Sequence, residues 1–257
     1  MPLKPTLLLL LLALIAPITS AKGTNYATEL YSKEQLSQSF SACLDSFPGK
    51  DSTPVERSFN ANMQPTRLCS DGFAVMYSKT SKTPLVVVER LNAGIIADAK
   101  GEERTDDFYP DPRLKQGERA ELSDYKGSGF DRGHQAPAGD ATDPHAMAQT
   151  FALSNMIPQD PTNNRKVWSK IEGDTRKYAS RAQGDVFVFT GSLFMGNQVK
   201  TIGDKVWLPT HIFKLVYDQS TGRAWAFVLE NNASATVGAP MSYDQFVKMT
   251  GLRLIRN

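Results

Sequence analysis

The stretch that decides the fold runs from Leu153 to Arg176. It opens Leu153-Ser154-Asn155-Met156-Ile157-Pro158-Gln159, passes through Asn163-Asn164, and continues to Trp168, Glu172 and Arg176. Asn164, Trp168, Glu172 and Arg176 stand four residues apart. On a helix beginning near Asn164, each step turns about 400°, so the stripe drifts only about 40° per step and keeps to one side. That side carries an amide, a carboxylate and a guanidinium around an indole. Trp168, with Val167 and Ile171, reads as core. Asn164 stands where a helix start favours a cap, and its amide also suits a metal. Arg165, Lys166, Lys170, Arg176, Lys177 and Arg181 outnumber Glu172 and Asp174 on this segment. Such a run is usually a solvated face, but this one follows closely on a histidine motif.

That motif is Asp131-Arg132-Gly133-His134-Gln135-Ala136-Pro137, and it holds one of only three histidines in the chain. Arginine offers fixed donors to phosphate oxygens, and neutral histidine can take a proton from water. Gly133 permits unusual dihedrals or close backbone approach. Alone, the four residues could equally be a turn with a satisfied surface histidine. His145, after Pro144 in a polar loop, reads as surface. His211, at the head of an apolar strand, reads as structural. A zinc site on His134 and His211 lacks a third ligand at recognisable spacing. No Gly-x-Ser-x-Gly is present, which disfavours a serine hydrolase.

Taken jointly, Asp131 to His134, Leu153 to Gln159, and Asn164, Trp168 and Glu172 at their spacing resemble the DNA/RNA non-specific endonucleases. These are the secreted sugar-non-specific nucleases of the Serratia nuclease type, with a ββα-metal active site. The resemblance runs from about Leu68 to Tyr243 and takes in Phe189-Thr190-Gly191 and Leu208-Pro209-Thr210. It implies that His134 is the general base and Asn164 the single protein ligand of Mg²⁺, or of Mn²⁺ or another divalent cation. It implies that Glu172 orients metal-bound water, that Arg132, Arg104 and Arg176 face phosphate, and that Asn155 helps arrange the site. The implied partners are DNA and RNA, held by backbone contacts, and the implied products carry a 5′ phosphate and a 3′ hydroxyl. Arg104 lies in the acidic run Glu102 to Asp107, where it could simply pair with its neighbours.

The rest of the chain fits one α+β domain with a central antiparallel sheet flanked by helices. Phe73 to Tyr77 and Pro84 to Glu89 read as a strand hairpin, Asp185 to Thr190 as a strand, and Val206 to Tyr217 with Ala224 to Glu230 as a second hairpin. Ser32 to Leu44 and Asn164 to Arg181 read as helices, Met147 to Phe151 as a short one, and Ser242 to Met249 as a closing helix capped by Ser242. Residues 99–130 show no period, and a loop of that length inside a compact domain is usually functional or disordered.

The chain has 257 residues with 29 Lys+Arg against 27 Asp+Glu. That balance excludes a histone-like or polybasic protein, so a nucleic-acid partner must be drawn by a local patch. Leu7 to Ala16 is a short apolar run after Lys4, followed by Pro17 and small residues. It reads as a secretory signal peptide over residues 1–21, cleaved near Ala21, too short for a membrane span. A polar segment over 22–66 and an endonuclease domain over 67–257 would follow, with no later stretch apolar enough to cross a bilayer. The expected location is secreted or periplasmic. In such a compartment Cys43 and Cys69 are expected to form a disulfide, with two buried thiols as the alternative. Two further functions use the same residues: a non-catalytic nucleic-acid-binding relative, and a phosphodiesterase for small substrates.

Overall fold

The computed structural model describes residues 24–256, so the expected signal peptide over 1–21 lies outside the described residues. Seven strands form the central sheet: β1 (Pro65–Ser70), β2 (Phe73–Ser78), β3 (Thr83–Leu91), β6 (Val186–Leu193), β9 (His211–Asp218), β10 (Arg223–Glu230) and β11 (Met241–Ser242). They lie in the order β1-β2-β3-β6-β9-β10-β11, and every pairing is antiparallel. Two small antiparallel ribbons stand beside it: β4 (Asp131–His134) with β5 (Met156–Gln159), and β7 (Lys200–Ile202) with β8 (Val206–Leu208). The expected α+β architecture is therefore what forms.

Side chains alternate across the sheet, so its two faces differ in chemistry. Val86, Val88, Phe187, Phe189, Phe213 and Leu215 point to one face, where Phe246 of the closing helix Tyr243–Thr250 joins them in the main core. Ser242 caps that helix by accepting from the Gln245 N–H, as expected. The other face is covered by β4, β5 and the helix that follows them. Trp168 of that helix is fully buried with Ile157, Ile171, Ile212 and Leu229.

Three local expectations change. Ser32 to Leu44 is not one helix. It forms 3₁₀ turns at Gln35–Ser37 and Phe40–Ser46, broken at Gln38, whose φ is 52°. Val206 to Tyr217 is two strands, β8 and β9, because Pro209 interrupts the run and lacks the N–H a ladder needs. The helix expected over Asn164 to Arg181 opens with a π-helical turn, Asn163–Trp168, and continues as the α-helix Ser169–Ala179.

The stretch 22–66 adds more than polarity. Phe40, Cys43, Phe47 and Val55 are buried in the main core. Cys43 and Cys69 form the disulfide, with a Cα separation of 5.5 Å. Tyr31 packs its ring under the Arg113 guanidinium at 3.9 Å, and its hydroxyl meets that of Tyr109 at 2.8 Å. This ties the stretch to the residue next to Phe108, a wall of the site described below. Among the described residues no helix is long and apolar enough to cross a membrane.

Candidate active site

β4 and β5 set the position of His134. Gly133 faces Ile157 across the ribbon, and a Cβ there would collide with the Gln159 side chain. Close approach, not an unusual dihedral, is what this glycine provides. Gln159 in turn donates to Asn163 Oδ1 at 3.0 Å, which links the ribbon to the start of the helix. Asn155 clamps the chain just past His134. Its Oδ1 accepts from the Ala136 N–H at 2.9 Å, and its Nδ2 donates to the carbonyls of Ala136 and Thr150, each at 2.9 Å.

The His134 ring stands between two phenylalanines. Its centroid lies 5.7 Å from Phe108 and 5.0 Å from Phe151, the latter edge-on. Two arginines flank the same rings from outside. Arg132 lies 4.0 Å from the Phe108 centroid, and Arg104 lies 5.0 Å from that of Phe151. The histidine is buried, and its Nε2 has no hydrogen-bond partner. Burial, and then the charges of Arg104 and Arg132, push its pKa down to about 3. It is therefore neutral across the physiological range, with a lone pair on one of its two ring nitrogens.

Asn164 lies in the first turn of the helix rather than at its cap. Asp160 takes the capping role, with Oδ1 accepting from the N–H groups of Thr162 and Asn163 at 2.8 and 3.0 Å. The Asn164 Nδ2 donates to Asp131 Oδ2 at 2.9 Å. That bond fixes the amide and presents its oxygen on the other side. Asp131 also receives Arg165 at 2.6 Å. Burial pushes the Asp131 carboxyl up, but the bonds from Arg165 and Asn164 outweigh it and hold it low. Among the described residues no group of three or more His, Cys, Asp or Glu could cage a metal. A lone oriented amide oxygen fits a hard cation that keeps most of its water.

Glu172 and Arg176 follow on the same helix. Arg176 donates to Asp140 Oδ1 at 3.0 Å, the aspartate coming from the turn after β4. Burial raises the Glu172 carboxyl to about 7; Lys214 opposes the rise, Asp140 adds to it, and Arg176 and Arg104 oppose it. Arg104 thus acts on both His134 and Glu172, although it also pairs with Asp106 at 2.7 Å as the plainer reading of its loop expected.

The structure thus gathers His134, Arg132 and Arg104 at one wall and Glu172 and Arg176 at another, with Asn164 tied to the first residue of β4. It also shows partners that the motifs did not single out. Phe108, Phe151, Asp131, Asp140, Glu89 and Lys214 surround the six residues. Asp131 was in plain view inside the motif. Phe108 and Phe151 lie in stretches without a chemical signature, and Glu89 and Lys214 sit on strands that read as apolar. The remaining histidines stand elsewhere. His145 pairs with Asp71 at 2.7 Å on the surface, and His211 contacts the Thr210 hydroxyl at 3.1 Å.

A ββα site of this kind, on an antiparallel sheet, defines a nuclease class. Residues 50–254 match the DNA/RNA non-specific endonuclease family, and the chain belongs to that family. It is 33% identical over 183 residues to "Nuclease 1, mitochondrial" of Schizosaccharomyces pombe, covering 64% of this chain and 56% of the relative. It is 34% identical over 183 residues to "Nuclease EXOG, mitochondrial" of Homo sapiens, covering 64% of this chain and 49% of the relative. The chain therefore spans about half the length of these curated relatives. A crystal structure of the EndoG/EndoGI complex, described as showing the mechanism of EndoG inhibition, superposes with a TM-score of 0.65 at 25% identity. The match covers 72% of this chain and 84% of that one. Its fold is that of the ββα-metal nucleases.

The relatives also correct one expectation. Both are named as mitochondrial nucleases, which overturns the secreted or periplasmic location read from residues 1–21. A basic start and an apolar run report hydropathy, and hydropathy alone does not identify the destination.

Proposed function

We propose that this chain is a divalent-cation-dependent endonuclease, with Mg²⁺ as the cation, that hydrolyses DNA and RNA without sequence choice and leaves 5′ phosphates. The observation that carries this reading is the His134 imidazole, buried between Phe108 and Phe151 and flanked by two arginines. Neutral His134 takes the proton of a water as that water attacks phosphorus. The P–O3′ bond breaks, and the leaving oxygen takes a proton from a second water held near Glu172. Arg132, Arg104 and Arg176 bind the non-bridging oxygens, where charge builds in the transition state. The Asn164 amide oxygen is the group that would hold the cation, and Glu172 would orient its waters. A bound divalent cation supplies Lewis-acid charge to the phosphate and the leaving oxygen. Asn155 and Asp131 orient His134 and Asn164 through the hydrogen bonds given above.

Contacts to phosphate and sugar carry no sequence information, which suits a broad substrate range. Affinity then falls with salt as counterions compete. Within the chain we place the endonuclease unit at 67–257, with the described part of 22–66 packed onto it. The burial of Phe40, Phe47 and Val55 in the shared core supports that arrangement. The test is cleavage of plasmid DNA, of RNA and of a small chromogenic phosphodiester, each with Mg²⁺ and with EDTA. Both polymers should be cut with Mg²⁺ and spared with EDTA. Cleavage of the small ester alone would sink the nuclease reading.

A further inference from the structure

The sheet face beneath the helix Ser169–Ala179 holds charges that the chemistry above does not use. Thr190 of β6 faces Lys214 of β9 and Val87 of β3, so these three share one face. Glu89, two residues along β3 from Val87, points the same way. Lys214 is 1% exposed in the middle of the sheet. Its Nζ donates to the Thr190 hydroxyl at 2.6 Å and lies 5.5 Å from the Trp168 ring centroid. Trp168 is one helical turn before Glu172 on the same side, so the ammonium sits under the helix face that presents Glu172. Glu89 is 3% exposed, and its Oε2 has no hydrogen-bond partner.

A buried ammonium whose hydrogen bond goes to a neutral hydroxyl needs carboxylates nearby to be tolerated. Three are present: Glu89, Asp140 and Glu172, and Lys214 acts on each. Asp140 already binds Arg176 at 3.0 Å. Burial, and then Asp140, push the Glu89 carboxyl well up. Glu172 stands one helical turn past Trp168, the ring that the Lys214 ammonium approaches, and is the carboxyl of the three that the helix carries.

We propose that Lys214 is a positioning residue for the nuclease reaction, a fixed counter-charge inside the sheet that acts through Glu172 and never touches substrate. The inference rests on the role given to Glu172 above. The groups that face Glu172 are Lys214 from β9, Glu89 from β3, Asp140 from the turn after β4, Arg104 from the long loop, and Arg176 from its own helix. Removing the Lys214 charge leaves the carboxyls with Arg176 and Arg104 alone. Glu172 then holds its proton to higher pH.

The experiment compares Lys214→Met, Glu172→Gln and the double variant. Lys214→Met should lower kcat on plasmid DNA about tenfold or more, with KM changed less than about threefold, because binding groups are untouched. The acid limb of its pH–rate profile should move up by about one unit. The double variant should be no slower than Glu172→Gln beyond about threefold, because the two act as one unit. In metal-free protein, the infrared carboxyl band identified by its loss in Glu172→Gln should titrate about one unit higher in Lys214→Met. Losses that multiply, or an unmoved infrared titration, overturn the inference. A Glu172→Gln enzyme with full activity would instead sink the role of Glu172, and the infrared shift would still decide the pairing. Should Lys214→Met fail to fold, Thr190→Val removes only the hydroxyl that holds the ammonium. A slower kcat with the same direction of pH shift supports the inference, and an unchanged enzyme overturns it.

Discussion

The two walls of the site treat ionisable groups in opposite ways. On the wall built by β4 and the long loop, aromatic rings enclose His134 and the nearby charges are cationic. On the wall built by the helix and the sheet, carboxyls crowd together and cations hold them. Burial acts on both, yet it drives the histidine toward its neutral form and the carboxyls toward theirs. The first wall keeps a base free to accept a proton. The second raises the Glu172 carboxyl to about 7, close to the pH at which it exchanges one. Separating such groups into unlike surroundings is how one site holds a base and a proton donor at the same pH.

The largest effect should come from the first wall. His134→Ala should reduce cleavage of plasmid DNA by about 10²–10⁴-fold, with the far-ultraviolet circular dichroism spectrum retained. A near-wild-type rate would mean that the aromatic wall holds no base.

Next comes the link between the walls. Asn164→Ala removes the oriented amide oxygen and frees Asp131 from one partner. It should weaken Mg²⁺ binding by about 10–100-fold, as seen when a metal site loses its support. Calorimetric titration of the cation checks this, and an unchanged affinity would place the cation elsewhere.

The smallest effect concerns stability on the second wall. Glu172 has a folded-state pKa of about 7 against an ordinary 4.5. Its proton-linked stability is full below pH 4.5 and is lost as pH rises through 7. Glu172→Gln should therefore stabilise the metal-free protein above pH 7, by about 1–2 kcal/mol, and by little at pH 4. Urea unfolding at the two pH values reads this directly. A variant destabilised equally at both would mean that the carboxylate is well compensated where it lies.

Much of this arrangement was legible in the sequence because its chemistry is local. Asp131 to His134 form one strand, and Asn164, Glu172 and Arg176 sit on one helix, so a motif and a period were enough. The strand hairpin from Phe73 to Glu89 and the closing helix at Ser242 follow from alternation and a cap in the same way. The break at Gln38 and the π-helical turn at Asn163 were not legible, since neither residue type forbids the regular alternative. Phe108 and Phe151 were hidden because only tertiary contact turns them into a wall. Lys214 and Glu89 were hidden because a charged residue inside an apolar strand reads as facing solvent. The location read from residues 1–21 failed for a different reason, since hydropathy alone does not identify a destination.

Everything proposed for the first wall depends on a neutral His134. The most direct measurement is a pH titration of its imidazole by long-range ¹H–¹⁵N NMR in the metal-free protein, assigned with His134→Ala. The ring should stay neutral from pH 8 down to about pH 4, given a pKa pushed down to about 3. A titration centred near the ordinary value of about 6.5 would contradict it.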